Sequence, residues 1–102
     1  MPPAPLPLEV MQKNAEQAEA LLKILANRNR LMILCHLVKD RRSVGELTEL
    51  VGLSQSSVSQ HLAKMREQDL VTTQKEGQTV YYRLHDPKLE AILSTLYLVY
   101  CQ

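Results

Sequence analysis

At 102 residues, with 45% hydrophobic side chains and neither Phe nor Trp, the chain has the size of one domain whose core must be filled by Leu, Val and Ile. The formal net charge of +1 leaves electrostatic steering toward nucleic acid weak and local, and the two cysteines, Cys35 and Cys101, match neither a disulfide framework nor a zinc-ligand spacing. Pro2, Pro3, Pro5 and Pro7 interrupt the segment where a signal sequence would lie, and no stretch reads as a membrane span, so a cytoplasmic protein is expected.

Residues 1–7 read as a disordered proline-rich tail, which leaves residues 8–102 as the folded domain. A helix is expected from Leu8. Leu8, Met11, Ala15, Ala18, Leu22 and Leu25 alternate by three and four, a narrow seam of the kind that packs on a partner helix, with a second row of Val10, Leu21 and Ile24 beside it. A dimer seam and an ordinary core helix with a broad apolar face fit this pattern equally. The run from Ala26 to Arg30 breaks the periodicity. Leu31 to Val38 is then apolar almost all round, which predicts a buried helix with Cys35 in its middle. Lys39, Asp40, Arg41 and Arg42 read as a solvated turn.

Ser43 followed by Glu46 is a capping box, and the helix it opens carries Val44, Leu47, Leu50 and Val51 and stops at Gly52. Ser54 caps the next helix, whose buried stripe is Val58, Leu62 and Met65. Gln55, Ser56, Ser57, Ser59, Gln60, His61 and Lys64 are left on its other faces. Glutamine can pair bidentately with adenine, serine can reach base edges or phosphates, and lysine gives phosphate a point charge. Taken alone, that helix reads more simply as a solvated polar face.

The following residues reverse that balance. Leu70 to Gln74 and Thr79 to Leu84 read as two strands joined by Lys75-Glu76-Gly77-Gln78, with Val80, Tyr82 and Leu84 inward and Thr79, Tyr81 and Arg83 outward. A hairpin directly after a helix-turn-helix is a wing. Between residues 54 and 85, Lys64, Arg66, Lys75 and Arg83 stand against Glu67, Asp69 and Glu76, an excess of one positive charge. Asp86-Pro87 opens a last helix to about Tyr100, where Leu89, Ile92, Leu93, Leu96, Val99 and Tyr100 make a broad face and Tyr97 and Leu98 add to it. A domain of this size cannot cover so much apolar surface. Pairing of two chains through the first and last helices is expected, which would present two reading helices to a palindromic site.

The motifs ANRNRLMIL at 26–34, LSQSSVSQHLAKMREQDLV at 53–71 and VYYRL at 80–84 resemble those of the ArsR-type winged-helix repressors, over about residues 8–101. The resemblance implies a mainly helical winged helix-turn-helix with a β-hairpin wing. It also implies a cytoplasmic homodimer that binds double-stranded operator DNA and is not an enzyme. Ser54, Gln55, Ser56, Ser57, Ser59, Gln60, His61 and Lys64 would then face DNA from the second helix of the motif, and Lys75, Gln78 and Thr79 from the wing. Many relatives carry a basic residue after the wing glycine, where this chain has Gln78.

Metal-sensing members often hold a Cys-x-Cys pair before the reading helix or Asp and His ligands on the last helix; neither is present, and no metal or other cofactor is expected. His36, His61 and His85 fall on three different elements. Cys35 and Cys101 instead resemble the two-cysteine branch that includes BigR, SqrR and HlyU. That likeness implies a disulfide or polysulfide bridge formed in response to reactive sulfur species or oxidants, with release of DNA. The alternatives are a thiol-based metal or arsenite sensor of the same family and a winged-helix protein-interaction module that binds no DNA.

Overall fold

The computed structural model describes residues 4–100. In chain order the elements are α1 (Leu8–Leu25), α2 (Arg28–Cys35), β1 (Arg42–Ser43), α3 (Val44–Val51), α4 (Gln55–Glu67), β2 (Val71–Glu76), β3 (Thr79–Leu84) and α5 (Pro87–Tyr100). The strands form an antiparallel sheet in the order β1-β3-β2. This is a winged helix-turn-helix, with the β2–β3 hairpin as the wing.

One core joins all five helices to the base of the sheet. Leu25, Ile33, Leu34, Leu37, Leu47, Val58, Leu62, Met65, Leu70, Val71, Leu89 and Leu93 are its buried members, all aliphatic or methionine, as the lack of Phe and Trp requires. α4 turns its Val58, Leu62 and Met65 stripe fully inward. Its C-terminus closes in a Schellman arrangement: the Leu70 N–H donates to the Met65 carbonyl and the Asp69 N–H to that of Arg66, with Asp69 at a φ of 59°. An aspartate tolerates this left-handed conformation better than most side chains. That turn delivers Leu70 and Val71 into the core at the start of β2.

α1 behaves differently. From Leu8 to Ala20 every residue is exposed, and only Leu21, Ile24 and Leu25 meet the core. The seam read from the sequence therefore divides: Leu25 belongs to the core, whereas Leu8 (68% exposed), Met11 and Leu22 (57%) face outward. Most helical stability in proteins comes from packing an amphipathic face, so an exposed apolar seam from Leu8 to Leu22 calls for a partner.

Several expectations are corrected. α2 begins at Arg28, because the Asn27 side chain accepts from the Arg30 N–H and caps it, and it ends at Cys35, which is thus the last residue of a short helix. Arg42, read as the end of a solvated turn, and Ser43, read as the cap of the next helix, pair with Tyr82 and Tyr81 as a third strand. The hairpin loop shrinks to Gly77 and Gln78, since Lys75 and Glu76 pair with Val80 and Thr79; Gly77 takes the positive φ (62°) that a two-residue hairpin turn needs. Val80, expected inward, is 40% exposed because the wing extends beyond the core, and only Tyr82 and Leu84 of that row reach it. Leu50 is exposed on α3. On α5, Leu89 and Leu93 are fully buried and Ile92 packs beside them, but Tyr97, Leu98, Val99 and Tyr100 are exposed, the last at 80%.

Candidate nucleic-acid interface

The two helices of the reading motif are set by their ends. The Ser43 Oγ accepts from the Glu46 N–H at 3.2 Å, and a Glu46 carboxylate oxygen accepts from the Ser43 N–H at 2.9 Å, which is the reciprocal box expected at the start of α3. That backbone donor holds the Glu46 carboxyl below its ordinary range. Gly52 takes a φ of 70° to end α3, and the Ser54 Oγ accepts from the Ser57 N–H at 3.1 Å to start α4. Ser54 is therefore committed as a cap at the very end that a reading helix presents to DNA.

With one side of α4 anchored in the core, Gln55, Ser56, Ser59, Gln60 and Lys64 are exposed together, and Ser57 is half-buried next to its cap. His61 is set apart from them. Its ring is half-buried toward α2, where Nδ1 accepts from Arg30 Nε at 3.4 Å. Burial, then the positive charges of Arg30 and Lys64, push His61 below its ordinary pKa, which favours the neutral ring that the acceptor role requires. Arg30, which sequence reasoning passed over, thus ties α2 to the reading helix. Its only sequence signal was a position one turn into a polar run whose helical character was not recognised.

Lys75, Gln78 and Thr79 lie exposed at the wing tip. Arg41 also reaches the wing. It pairs with Glu76, donates to Gln74 Oε1 at 3.2 Å and stacks over Tyr81 with 4.2 Å from the guanidinium carbon to the ring centroid. The outward Tyr81 was legible, but its partner depends on the two-residue strand β1, too short to leave a periodic trace.

Cys35, at the end of α2, is half-buried in a groove that it lines with Leu31, Met32, Leu96, Tyr97 and Tyr100. Cys101 lies outside the described residues. Among the described residues no group of three or more His, Cys, Asp or Glu side chains converges as a metal site, and no helix is long and apolar enough to cross a membrane.

Residues 27–73 match the family model described as bacterial regulatory protein, arsR family. The chain is 48% identical to the transcriptional activator HlyU of Vibrio cholerae over 97% of its own length and 92% of that protein's. It is 38% identical to the biofilm growth-associated repressor of Agrobacterium fabrum over 94% of its length and 82% of the relative's. Among solved structures, reduced HlyU from Vibrio cholerae superposes with a TM-score of 0.89 at 48% identity, covering 93% of this chain and all of that one. The repressor BigR from Xylella fastidiosa superposes at 0.84 and 38% identity, covering 91% and 92%. The homodimeric winged helix-turn-helix domain of Mb0332 from Mycobacterium bovis superposes at 0.75 and 26% identity, covering 87% and 82%.

Proposed function

Because the chain belongs to the ArsR family of bacterial regulatory proteins, and is a DNA-binding transcriptional regulator rather than an enzyme, we propose that it acts as a homodimeric repressor released from its operator when Cys35 and Cys101 are bridged. The observation that carries the DNA-reading half is α4 itself: a fully buried Val58-Leu62-Met65 stripe fixes the helix, and Gln55, Ser56, Ser59, Gln60 and Lys64 are presented together on its exposed side, with Lys75, Gln78 and Thr79 on the adjacent wing. In this role the glutamines and serines read base edges, the lysines contact phosphate, and the Ser54 cap leaves N–H groups at the helix start for backbone contact. His61 serves from the edge, through its contact with Arg30.

Uncovered apolar surface supports the same reading. The exposed seam of α1 and the exposed end of α5 are apolar surface that one chain does not cover, and a two-fold pair sets two α4 helices on a palindromic site about one DNA turn apart. Repression rather than activation rests on the likeness to BigR and the biofilm growth-associated repressors, since HlyU is named an activator.

The sensing half rests on the two cysteines. Cys35 ends the helix that Arg30 ties to α4, and it shares a groove with Tyr97 and Tyr100 of α5, the helix directly preceding Cys101 in sequence. A bridge between the thiols links the helix behind the reading head to the dimer helix. An organic polysulfide RSSSR can make it: one thiolate displaces a hydropersulfide, the second displaces a thiol, and the two electrons of the protein dithiol pass to those products. Hydrogen peroxide takes the same two electrons and leaves as two waters, the first as one thiolate becomes a sulfenic acid and the second as the other thiol displaces its hydroxyl. A coupling of about 1–3 kcal/mol lowers operator affinity by roughly 5- to 150-fold.

Selection of duplexes from a random pool tests the DNA half. The expected product is a palindrome with half-sites about 10 base pairs apart, bound by a dimer. Failure to retain any duplex at low salt overturns it and favours a protein-interaction module.

A further inference from the structure

The wing has a charge problem. Lys75 and Glu76 are adjacent near its tip and cancel, and Arg83, the hairpin's other charge, lies opposite Thr72 toward its base, so the tip alone offers a phosphate backbone no net charge. The ladder shows how this is resolved. Gln74 is opposite Tyr81 and Glu76 opposite Thr79, so by the period of two the side chains of Gln74, Glu76 and Tyr81 share one face of the hairpin, while Lys75 belongs to the other. Arg41 lies along the first face and engages all three: an ion pair with Glu76, a hydrogen bond to Gln74 and a stack on Tyr81.

We propose that Arg41 is a positioning residue for operator binding, masking the Glu76 carboxylate and fixing the wing against the helix-turn-helix, so that Lys75 meets the phosphates uncompensated. It rests on the DNA-reading function proposed above. Among the described residues, the main-chain tie between wing and body on that side is the two-residue pairing of β1 with β3, and Ser43 of that strand is also the cap of α3. Arg41 directly precedes β1, so its three contacts extend a short ladder to the far half of the wing. None of these contacts is large for folding. The Arg41 and Glu76 side chains remain 36% and 63% exposed, and surface ion pairs contribute little to stability. The wing's charge and pose toward DNA are what they change.

The test measures binding of a duplex selected by the wild-type protein from a random pool, with a thermal melt of each variant. Arg41→Ala should melt close to wild type yet bind about tenfold more weakly. Arg41→Ala/Glu76→Gln should recover most of that loss, because the exposed carboxylate is gone. Arg41→Lys, which keeps the charge without the planar stack, should fall between. If Arg41→Ala binds as tightly as wild type, or if Glu76→Gln restores nothing to it, the masking role is refuted; the second result would assign Arg41 a direct phosphate contact instead. A lowered melt for Arg41→Ala together with full rescue of the melt but not of binding would refute it equally. A wild-type protein that binds no duplex sinks the DNA-reading function itself, which is a separate outcome.

Discussion

Leu98 distinguishes a dimer helix from a merely greasy surface. In one chain it is 59% exposed, on the side of α5 away from the fully buried Leu89 and Leu93. Burying a whole leucine side chain contributes about 1.5–3 kcal/mol, so covering the part left exposed contributes roughly 1–2 kcal/mol per chain. A two-fold interface uses each position twice. Leu98→Ala should therefore weaken the dimer by roughly 2–4 kcal/mol, some thirtyfold to several hundredfold in dissociation constant. Sedimentation equilibrium across a dilution series measures it, with circular dichroism to confirm that the helices survive. Leu93→Ala is the contrasting control: that side chain is fully buried within the chain, so its loss should cost roughly 2–5 kcal/mol of protomer stability. A Leu98→Ala dissociation constant within twofold of wild type would refute α5 as the pairing surface, because an exposed, unpartnered site tolerates such a change almost neutrally.

Gln60→Ala should cost about 1–3 kcal/mol on the selected duplex and relax specificity at one position, whereas Lys75→Ala should weaken all duplexes alike and reduce the salt slope by about one contact; equal losses on specific and random DNA for Gln60→Ala would contradict base reading. His61 has a folded pKa below its ordinary value of 6.5, so the unfolded chain takes up the proton first; stability is full above 6.5 and is lost as pH falls toward the folded value, and urea titrations of His61→Gln against wild type should show a shallower acid limb. Asp69→Val should lower unfolding free energy by roughly 1–2 kcal/mol, because a β-branched side chain resists the left-handed turn that closes α4, while Asp69→Gly should leave it within roughly 0.5 kcal/mol; equal melts for Asp69→Val and wild type would contradict that account.

Features carried by local chemistry are legible in the sequence. The Ser43–Glu46 box, Gly52, the Ser54 cap and the Val58-Leu62-Met65 stripe are each written in residues three or four apart, and all appear as expected. What was missed depends on long-range pairing. β1 exists because Arg42 and Ser43 meet Tyr82 and Tyr81 across the fold, and Arg41 becomes a wing contact only once that pairing is made. The sequence pattern places the start of α2 too late, because Asn27, a cap, reads there as part of a breaker. On α1 and α5 the apolar seams were visible, but which residues turn inward is decided by helix placement: Leu25 and Leu93 are core, and Leu22 and Leu98 are surface. Within the candidate site, the exposed polar side of α4 was legible, and the inward lean of His61 toward Arg30 was not.

In the proposed function, Cys35 and Cys101 act as one switch. Intact-mass analysis and duplex binding, read on the same samples of wild type, Cys35→Ser and Cys101→Ser after treatment with an organic polysulfide and again after reductant, test it most directly. Only the wild type should gain an internal crosslink and lose affinity, reductant should restore both, and each single mutant should bind DNA throughout. Release of both single mutants as completely as the wild type would contradict it and leave Cys35 and Cys101 as packing residues.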